Sequence, residues 1–180
     1  MIQKESQTKP KPLNAVAAQP GKHRITLERT YEASLKDIWD LWTTKKGFES
    51  WWGPDGFTVK VRKLDLRPGG DLLYDMIATA PMQIEFMKKA RMPLTTEARL
   101  TYSLVEAMRR LAYTHLVDFV PKVEAYPVAT VVELHAKGNQ IRMVVILDPM
   151  HSVEWTERAV SGMKSQLAKL DKLFRRLRDE

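Results

Sequence analysis

The last segment of the chain, from Ser152 to about Arg178, has the hydrophobic periodicity of a long amphipathic helix. Asp148 before Pro149 and Ser152 offer two alternative starts for this helix. Apolar residues recur at steps of three and four along one face, at Trp155, Ala159, Met163, Leu167, Leu170, Phe174 and Leu177. Basic residues form the opposite face: Lys164, Lys169, Lys172, Arg175 and Arg176. Such a helix must bury its apolar stripe against the rest of the protein.

Most of the remaining chain has the alternating pattern of β-strands. His23 to Tyr31 predicts a first strand, and two short helices follow, one from Ser34 through Trp42 and one ending at Trp51-Trp52. Residues 57–66 predict a strand with a bulge near Arg62-Lys63, where the apolar parity changes. A strand through Leu72, Tyr74 and Met76 returns, and residues 79–96 allow a short helix between Pro81 and Pro93.

Three later hairpins predict which side chains share the inner face of the sheet. Gly138-Asn139 is a two-residue turn that sets Leu134 opposite Met143 and Val132 opposite Val145. A turn near Ala107-Met108 sets Leu104 opposite Leu111, Tyr102 opposite Tyr113 and Leu100 opposite His115, and a loop through Pro121 and Pro127 then sets His115 opposite Val132. One parity faces inward on all four strands. Asp75, Glu106 and Glu133 have the outward parity and are interpreted as solvated or paired surface charges.

Composition limits the classes of protein that these elements can form. The 180 residues include no cysteine, and no apolar run is long enough for a membrane span. We expect residues 1–22 to be a flexible tail, residues 23–180 to be a single domain, and the protein to be cytoplasmic. The net charge of +7 is spread over several surfaces without interleaved aromatic residues, which argues against a nucleic-acid partner.

Several motifs together resemble a known family. Asp37-Ile38-Trp39, Trp51-Trp52-Gly53-Pro54, Phe57-Thr58-Val59 and Asp65 to Gly70 look like the START-related (SRPBCC) superfamily, in the branch similar to the C-terminal domain of the heat-shock-protein-ninety ATPase activator. The resemblance implies an α+β helix-grip fold, with a curved antiparallel sheet of about seven strands around the C-terminal helix. The expected order is β-α-α-β-β-β-β-β-β-α. Relatives of this kind bind ligands, catalyse reactions or assist a chaperone, so the fold leaves the function open.

Inward-facing residues form the candidate ligand pocket. The list comprises Trp42, Trp51, Tyr74, Met76, Tyr102, Tyr113, His115, Met143, Trp155 and Met163. Any single one of them is more often an ordinary core residue, but together they are suited to line a cavity for an apolar or aromatic small molecule. His115 has three interpretations: a buried histidine with satisfied nitrogens, a ligand contact, or a general acid–base residue.

The sequence contains no recognisable catalytic or cofactor motif. There is no phosphate-binding glycine loop, dinucleotide fingerprint, nucleophile elbow or His-Glu-x-x-His helix. His135 has the opposite parity to His115, so the two are not expected to share a metal, and we expect neither metal nor cofactor. The main hypothesis is a small-molecule binding protein, and the absence of catalytic motifs favours binding over catalysis without excluding an enzyme. The alternatives are a module that interacts with a chaperone and a cyclase or hydrolase that uses His115.

Overall fold

A computed structural model describes residues 23–179 and, for side chains, residues up to 176. In this part of the chain, seven antiparallel strands form one sheet in the order β1-β7-β6-β5-β4-β3-β2. The strands are β1 (Ile25–Glu32), β2 (Phe57–Leu64), β3 (Asp71–Ala78), β4 (Thr95–Glu106), β5 (Arg110–Val117), β6 (Tyr126–Lys137) and β7 (Gln140–Leu147). The helices are α1 (Leu35–Thr43), α2 (Lys45–Trp51), α3 (Pro81–Lys89) and α4 (Val153–Asp179). The predicted tail, residues 1–22, and the side chain of Leu177 lie outside the described part.

The helix-grip architecture is confirmed. The apolar stripe of α4 packs on the sheet with Met163, Leu167, Leu170 and Phe174 buried, in one core with residues of α1 and α2. Burying this stripe removes large apolar side chains from water, which is the main stabilising contribution available to a domain of this kind. The expected element order left out α3, which the sequence had offered only as an optional helix.

The ends of the helices follow local capping chemistry. Ser34 and Asp37 form a capping box at the start of α1, and the Thr44 hydroxyl accepts a hydrogen bond from the Gly47 amide at the start of α2. At α4, the Ser152 hydroxyl accepts a bond from the Trp155 amide, 3.3 Å away, so the second of the two alternative starts is correct. Asp148 does not cap the helix, because α4 begins five residues later, at Val153; the Asp148 carboxylate forms an ion pair with Arg24 at 2.8 Å.

Two of the three predicted hairpin registers needed correction. Val132 pairs with Val145 and Leu134 with Met143, as the Gly138 turn predicts. Tyr102 pairs with Tyr113, but a bulge next to Tyr102 sets Leu104 opposite Ala112 and Val105 opposite Leu111.

The loop between β5 and β6 is shorter than predicted, so His115 faces Val128 and not Val132. Pro127 lies inside β6, paired with Leu116, and does not belong to the loop. The observed partner lies four residues from the predicted one, which is an even number. His115 and its partner therefore still face the inner side of the sheet, as predicted, although the register is wrong.

The predicted bulge in β2 lies between Val61 and Lys63, and Arg62 at this bulge pairs with Asp75. Asp75 lies on the outer sheet face, in register with Lys60 and Glu97, and of the two predicted states, solvated or paired, it is paired, although it is also buried. Arg62 Nε donates to Asp75 Oδ2 over 2.7 Å, whereas Asp75 Oδ1 is buried without a hydrogen-bond partner among the described residues. A charged group can be buried in this way because its partner also hydrogen-bonds it.

Candidate functional site

Eight of the ten predicted pocket residues lie together in the core that the sheet forms with α1, α2 and α4. Seven of the ten belong to one buried cluster, and Met76 packs against it as a partly buried neighbour: the seven are Trp42, Trp51, Tyr74, Tyr102, Tyr113, Met143 and Met163. We call this group the aromatic core. Trp155 belongs to a smaller cluster with Val117 and Met150, and its ring lies 5.8 Å from that of Phe119.

Three tryptophans stack edge to face at the centre of the aromatic core. The Trp42 ring lies 4.8 Å from Trp51 and 5.7 Å from Trp52, and Trp52 also stacks on Phe48 at 4.7 Å. Each indole N–H donates a hydrogen bond: Trp42 to Met143 Sδ, Trp51 to the Leu41 carbonyl and Trp52 to the Tyr74 hydroxyl. Sequence reasoning missed Trp52 as a core residue, although its position beside Trp51 in the Trp-Trp-Gly-Pro motif was a usable signal.

Two tyrosine hydroxyl groups in the aromatic core have no hydrogen-bond partner among the described residues. Tyr102 and Tyr113 are paired across β4 and β5, and the Oη atoms of both are buried and unsatisfied. Thr130 lies opposite Tyr113 in β6, but no hydrogen bond of normal geometry joins the two hydroxyls. Buried polar groups are nearly always hydrogen-bonded. Two neighbouring hydroxyls without a partner therefore make this part of the core a candidate position for a ligand atom.

Burial keeps these phenols protonated. It raises the pKa of Tyr102 to about 12. It also raises the pKa of Tyr113, mainly by desolvation, with smaller contributions from the neighbouring Tyr74 and Tyr102 and a partial opposing effect of Thr130. The pKa of Tyr74 is raised by burial as well. At neutral pH the polar groups that these tyrosines present are therefore uncharged.

His115 lies on the inner face of β5, between the aromatic core and the smaller cluster. It is half-buried, and desolvation lowers the pKa of its imidazole, which is then neutral at pH 7. Within residues 23–176 no side-chain hydrogen bond orients this ring, and no carboxylate activates it. His135 is exposed, 3.3 Å from Glu133, and the described residues contain no cluster of His, Asp and Glu that could hold a metal ion.

The loop after α2 is fixed to α4 by three polar side chains, which the sequence did not reveal. Gln166 Oε1 accepts a bond from the Gly53 amide at 3.0 Å, and Ser165 Oγ accepts one from the Asp55 amide at 3.1 Å. The Lys169 ammonium donates to three main-chain carbonyls, those of Trp52, Gly53 and Phe57, at 3.3, 2.9 and 3.1 Å.

Lys169 was therefore wrongly assigned to the solvated face of α4. It is partly buried, and desolvation lowers its pKa. Because its nitrogen satisfies carbonyls at the end of α2 and the start of β2, it holds the Trp51-Trp52 corner against the last helix.

Two surface depressions lie away from the aromatic core. One, of about 430 Å³, is bordered by Ile25 in β1 and by Thr156, Val160 and Lys164 in α4. The other, of about 190 Å³, lies at Arg110, Glu133 and His135. None of the ten predicted pocket residues borders either depression, so a ligand cavity inside the aromatic core stays a prediction.

The fold defines the class of protein: a START-related helix-grip domain. The chain is also similar to several solved bacterial structures. A protein from Arthrobacter aurescens is 18% identical with a TM-score of 0.68, covering 91% of this chain and 93% of that one. A protein from Chromobacterium violaceum is 18% identical with a TM-score of 0.64, covering 84% and 96%. The AHSA1 protein from Silicibacter pomeroyi is 16% identical with a TM-score of 0.63, covering 82% and 94%.

Within this class the family is also defined. The profile of the family described as "Activator of Hsp90 ATPase homolog 1-like protein" matches residues 32–175, and the chain belongs to that family. No protein with a curated description matches the chain. The structural likenesses, at identities of this level, support the fold alone. None of the described helices is long and apolar enough to cross a membrane.

Proposed function

We propose that this protein binds an uncharged apolar or aromatic small molecule inside the aromatic core, with a polar atom of the ligand at Tyr102 and Tyr113. The observation that carries the proposal is the pair of buried hydroxyls without partners. Leaving a buried donor or acceptor unpaired costs about 1–3 kcal/mol. A ligand oxygen or nitrogen that hydrogen-bonds both hydroxyls would remove this cost, and the free energy recovered would favour binding.

The charge state of the core supports an uncharged ligand. Asp75 is the one carboxylate among the buried residues of the described part, and it lies on the outer face of the sheet with Arg62. The inward groups, including His115, are neutral at pH 7. A carboxylate or ammonium ion would have to lose its hydration here without a counter-charge, which is strongly unfavourable.

Entry of a ligand requires side chains of the aromatic core to move, because they are in contact in this structure. Met143 and Met163 are the candidates to move, since methionine side chains are flexible and both border the tryptophans or the inner stripe of α4. The ligand would then select a minor, open arrangement of the core, and its apparent affinity would be reduced by the rarity of that arrangement.

Native mass spectrometry of the purified protein, followed by extraction under denaturing conditions, tests the proposal. A stoichiometric uncharged passenger, or a thermal shift with members of a panel of apolar phenols and ketones, is the expected result. The corresponding carboxylic acids serve as matched controls and should give no shift. Preference for the acids, or no response to any member of the panel, would contradict the proposal.

The chaperone hypothesis has the family description as its support. Its test is stimulation of the ATPase of heat-shock protein ninety by the full chain, with the Tyr113→Phe variant as a control for the core. Stimulation that does not depend on Tyr113 would assign the function to the surface and not to the aromatic core.

The enzymatic hypothesis predicts turnover that disappears in a folded His115→Gln variant.

A further inference from the structure

The exposed hydrophobic residues of this protein are concentrated at one end of the sheet. Six of the seven large hydrophobic residues that are exposed in the described part lie in or beside connections at this end: Met82, Phe86, Met92, Leu116, Phe119 and Val153. The strand register shows that these connections are neighbours, since the end of β3 pairs with the start of β4, and the end of β5 with the start of β6. Exposed apolar groups gathered in this way mark an interaction surface.

Helix α3 contributes the most exposed part of this surface. Met87 is buried against the protein, whereas Met82 and Phe86 lie one turn apart and are 76% and 64% exposed. Met92 follows the helix and is 50% exposed. A helix that buries one side chain and presents two large apolar ones to solvent has an apolar face without a partner.

Basic side chains stand beside these apolar ones. Residues 79–94 contain Lys88, Lys89 and Arg91 against the single carboxylate of Glu85, a net charge of +2 from three cations and one anion. We call Met82, Phe86, Met92, Lys88, Lys89 and Arg91 the α3 face.

We propose that the α3 face docks on an anionic lipid bilayer, with its apolar side chains in the interface and its cations on the lipid phosphates. Large apolar residues flanked by lysine and arginine are the composition of helices that lie in the membrane interface. Lysine is depleted in protein–protein interfaces, so this composition favours lipid over a protein partner. The β5–β6 connection at the same end carries Asp118 and Glu124 against Lys122, so the excess of cations at this end is found at α3.

Co-sedimentation of the full chain with vesicles tests the proposal. Binding is expected to vesicles of equal parts phosphatidylcholine and phosphatidylglycerol, weakened by salt, and not to phosphatidylcholine alone. Two double variants, Met82→Ser with Phe86→Ser and Lys88→Gln with Lys89→Gln, should each lower the affinity about tenfold or more. Their thermal stability should stay near that of the parent, because the substituted side chains are exposed.

Matched controls change the same residue types elsewhere. Met108→Ser removes an exposed methionine at the opposite end of the sheet, and Lys60→Gln with Lys63→Gln removes two exposed lysines of β2. Neither should change binding. An equal loss in these controls, or no binding to anionic vesicles at low salt, overturns the proposal. If the chaperone binds through Phe86 while vesicles do not, the α3 face is a protein-docking surface instead.

Discussion

Replacing Tyr113 by phenylalanine removes one oxygen atom from the centre of the aromatic core and leaves the ring in place. The Tyr113 hydroxyl is buried and has no hydrogen-bond partner among the described residues, so the unliganded protein loses no bond in this variant. It instead avoids the desolvation cost of an unpaired hydroxyl, which is about 1–3 kcal/mol. We therefore expect the unliganded Tyr113→Phe protein to be more stable by about 1 kcal/mol, the lower end of this range.

Thermal and urea denaturation of ligand-free protein measure this effect. A gain of 1 kcal/mol corresponds to a rise in Tm of about 2–4 °C for a domain of this size. Tyr102→Phe should act in the same direction, for the same reason. Tyr74→Phe is the matched control, because the Tyr74 hydroxyl accepts the Trp52 N–H at 3.1 Å. That variant leaves a buried donor unpaired and should lose about 1–3 kcal/mol.

Ligand binding should respond in the opposite direction to stability. A ligand atom that pairs with both hydroxyls loses one bond in Tyr113→Phe, and a loss of about 1.4 kcal/mol lowers the affinity tenfold. The reasoning is refuted if ligand-free Tyr113→Phe is clearly less stable than the parent. In that case the hydroxyl has a partner in solution, with Thr130 as the nearest candidate, and it is not reserved for a ligand.

Three further predictions concern α4, the sheet and the cavity. Lys169→Met removes three bonds to main-chain carbonyls and should lower the free energy of unfolding by about 1–2 kcal/mol, read from urea denaturation, whereas Lys172→Met on the exposed face should not. Burial lowers the pKa of His115 below the ordinary histidine pKa of about 6.5. The unfolded state therefore binds more protons than the folded state when the pH falls below about 6.5, so stability should decrease as the pH drops through this value. His115→Gln should flatten that part of the urea-midpoint profile, and an unchanged slope would contradict it. Met163→Trp should weaken the binding of a hydrophobic dye about tenfold and cost about 1–3 kcal/mol of stability through overpacking, so unchanged dye affinity would argue against a cavity there.

The inward parity of the sheet could be predicted from the sequence because parity depends only on alternation. The Gly138-Asn139 turn fixed the β6–β7 register correctly, since a two-residue turn allows only one pairing. The predicted β5–β6 register is wrong because a longer loop allows many pairings, and because the prediction places Pro127 in the loop although it lies in β6. His115 nevertheless faces inward, since the error was even.

Long-range polar contacts could not be predicted from the sequence. Lys169 has the helical position of a solvated residue, and the pattern of α4 alone contains no sign of the carbonyls of Gly53 and Phe57, more than 100 residues earlier in the chain. Asp75 likewise has the outward parity of a surface charge, and only the bulge at Arg62 brings a guanidinium over it. The partners of both Lys169 and Asp75 come from a different element, so the pattern of one element does not reveal them.

The contacts of Lys169 also bear on how the aromatic core could open. Trp52 is held twice, through its indole N–H on Tyr74 and through its carbonyl on Lys169, so the α2–β2 corner resists displacement. Met143 is tied only by a weak bond from Trp42 to its sulfur, and Met163 is held by packing alone. The opening of the core with the lowest free-energy cost therefore moves the methionine side chains and leaves the tryptophans in place. A ligand admitted in this way would lie between α4 and the sheet, where Tyr102 and Tyr113 supply the unpaired hydroxyls.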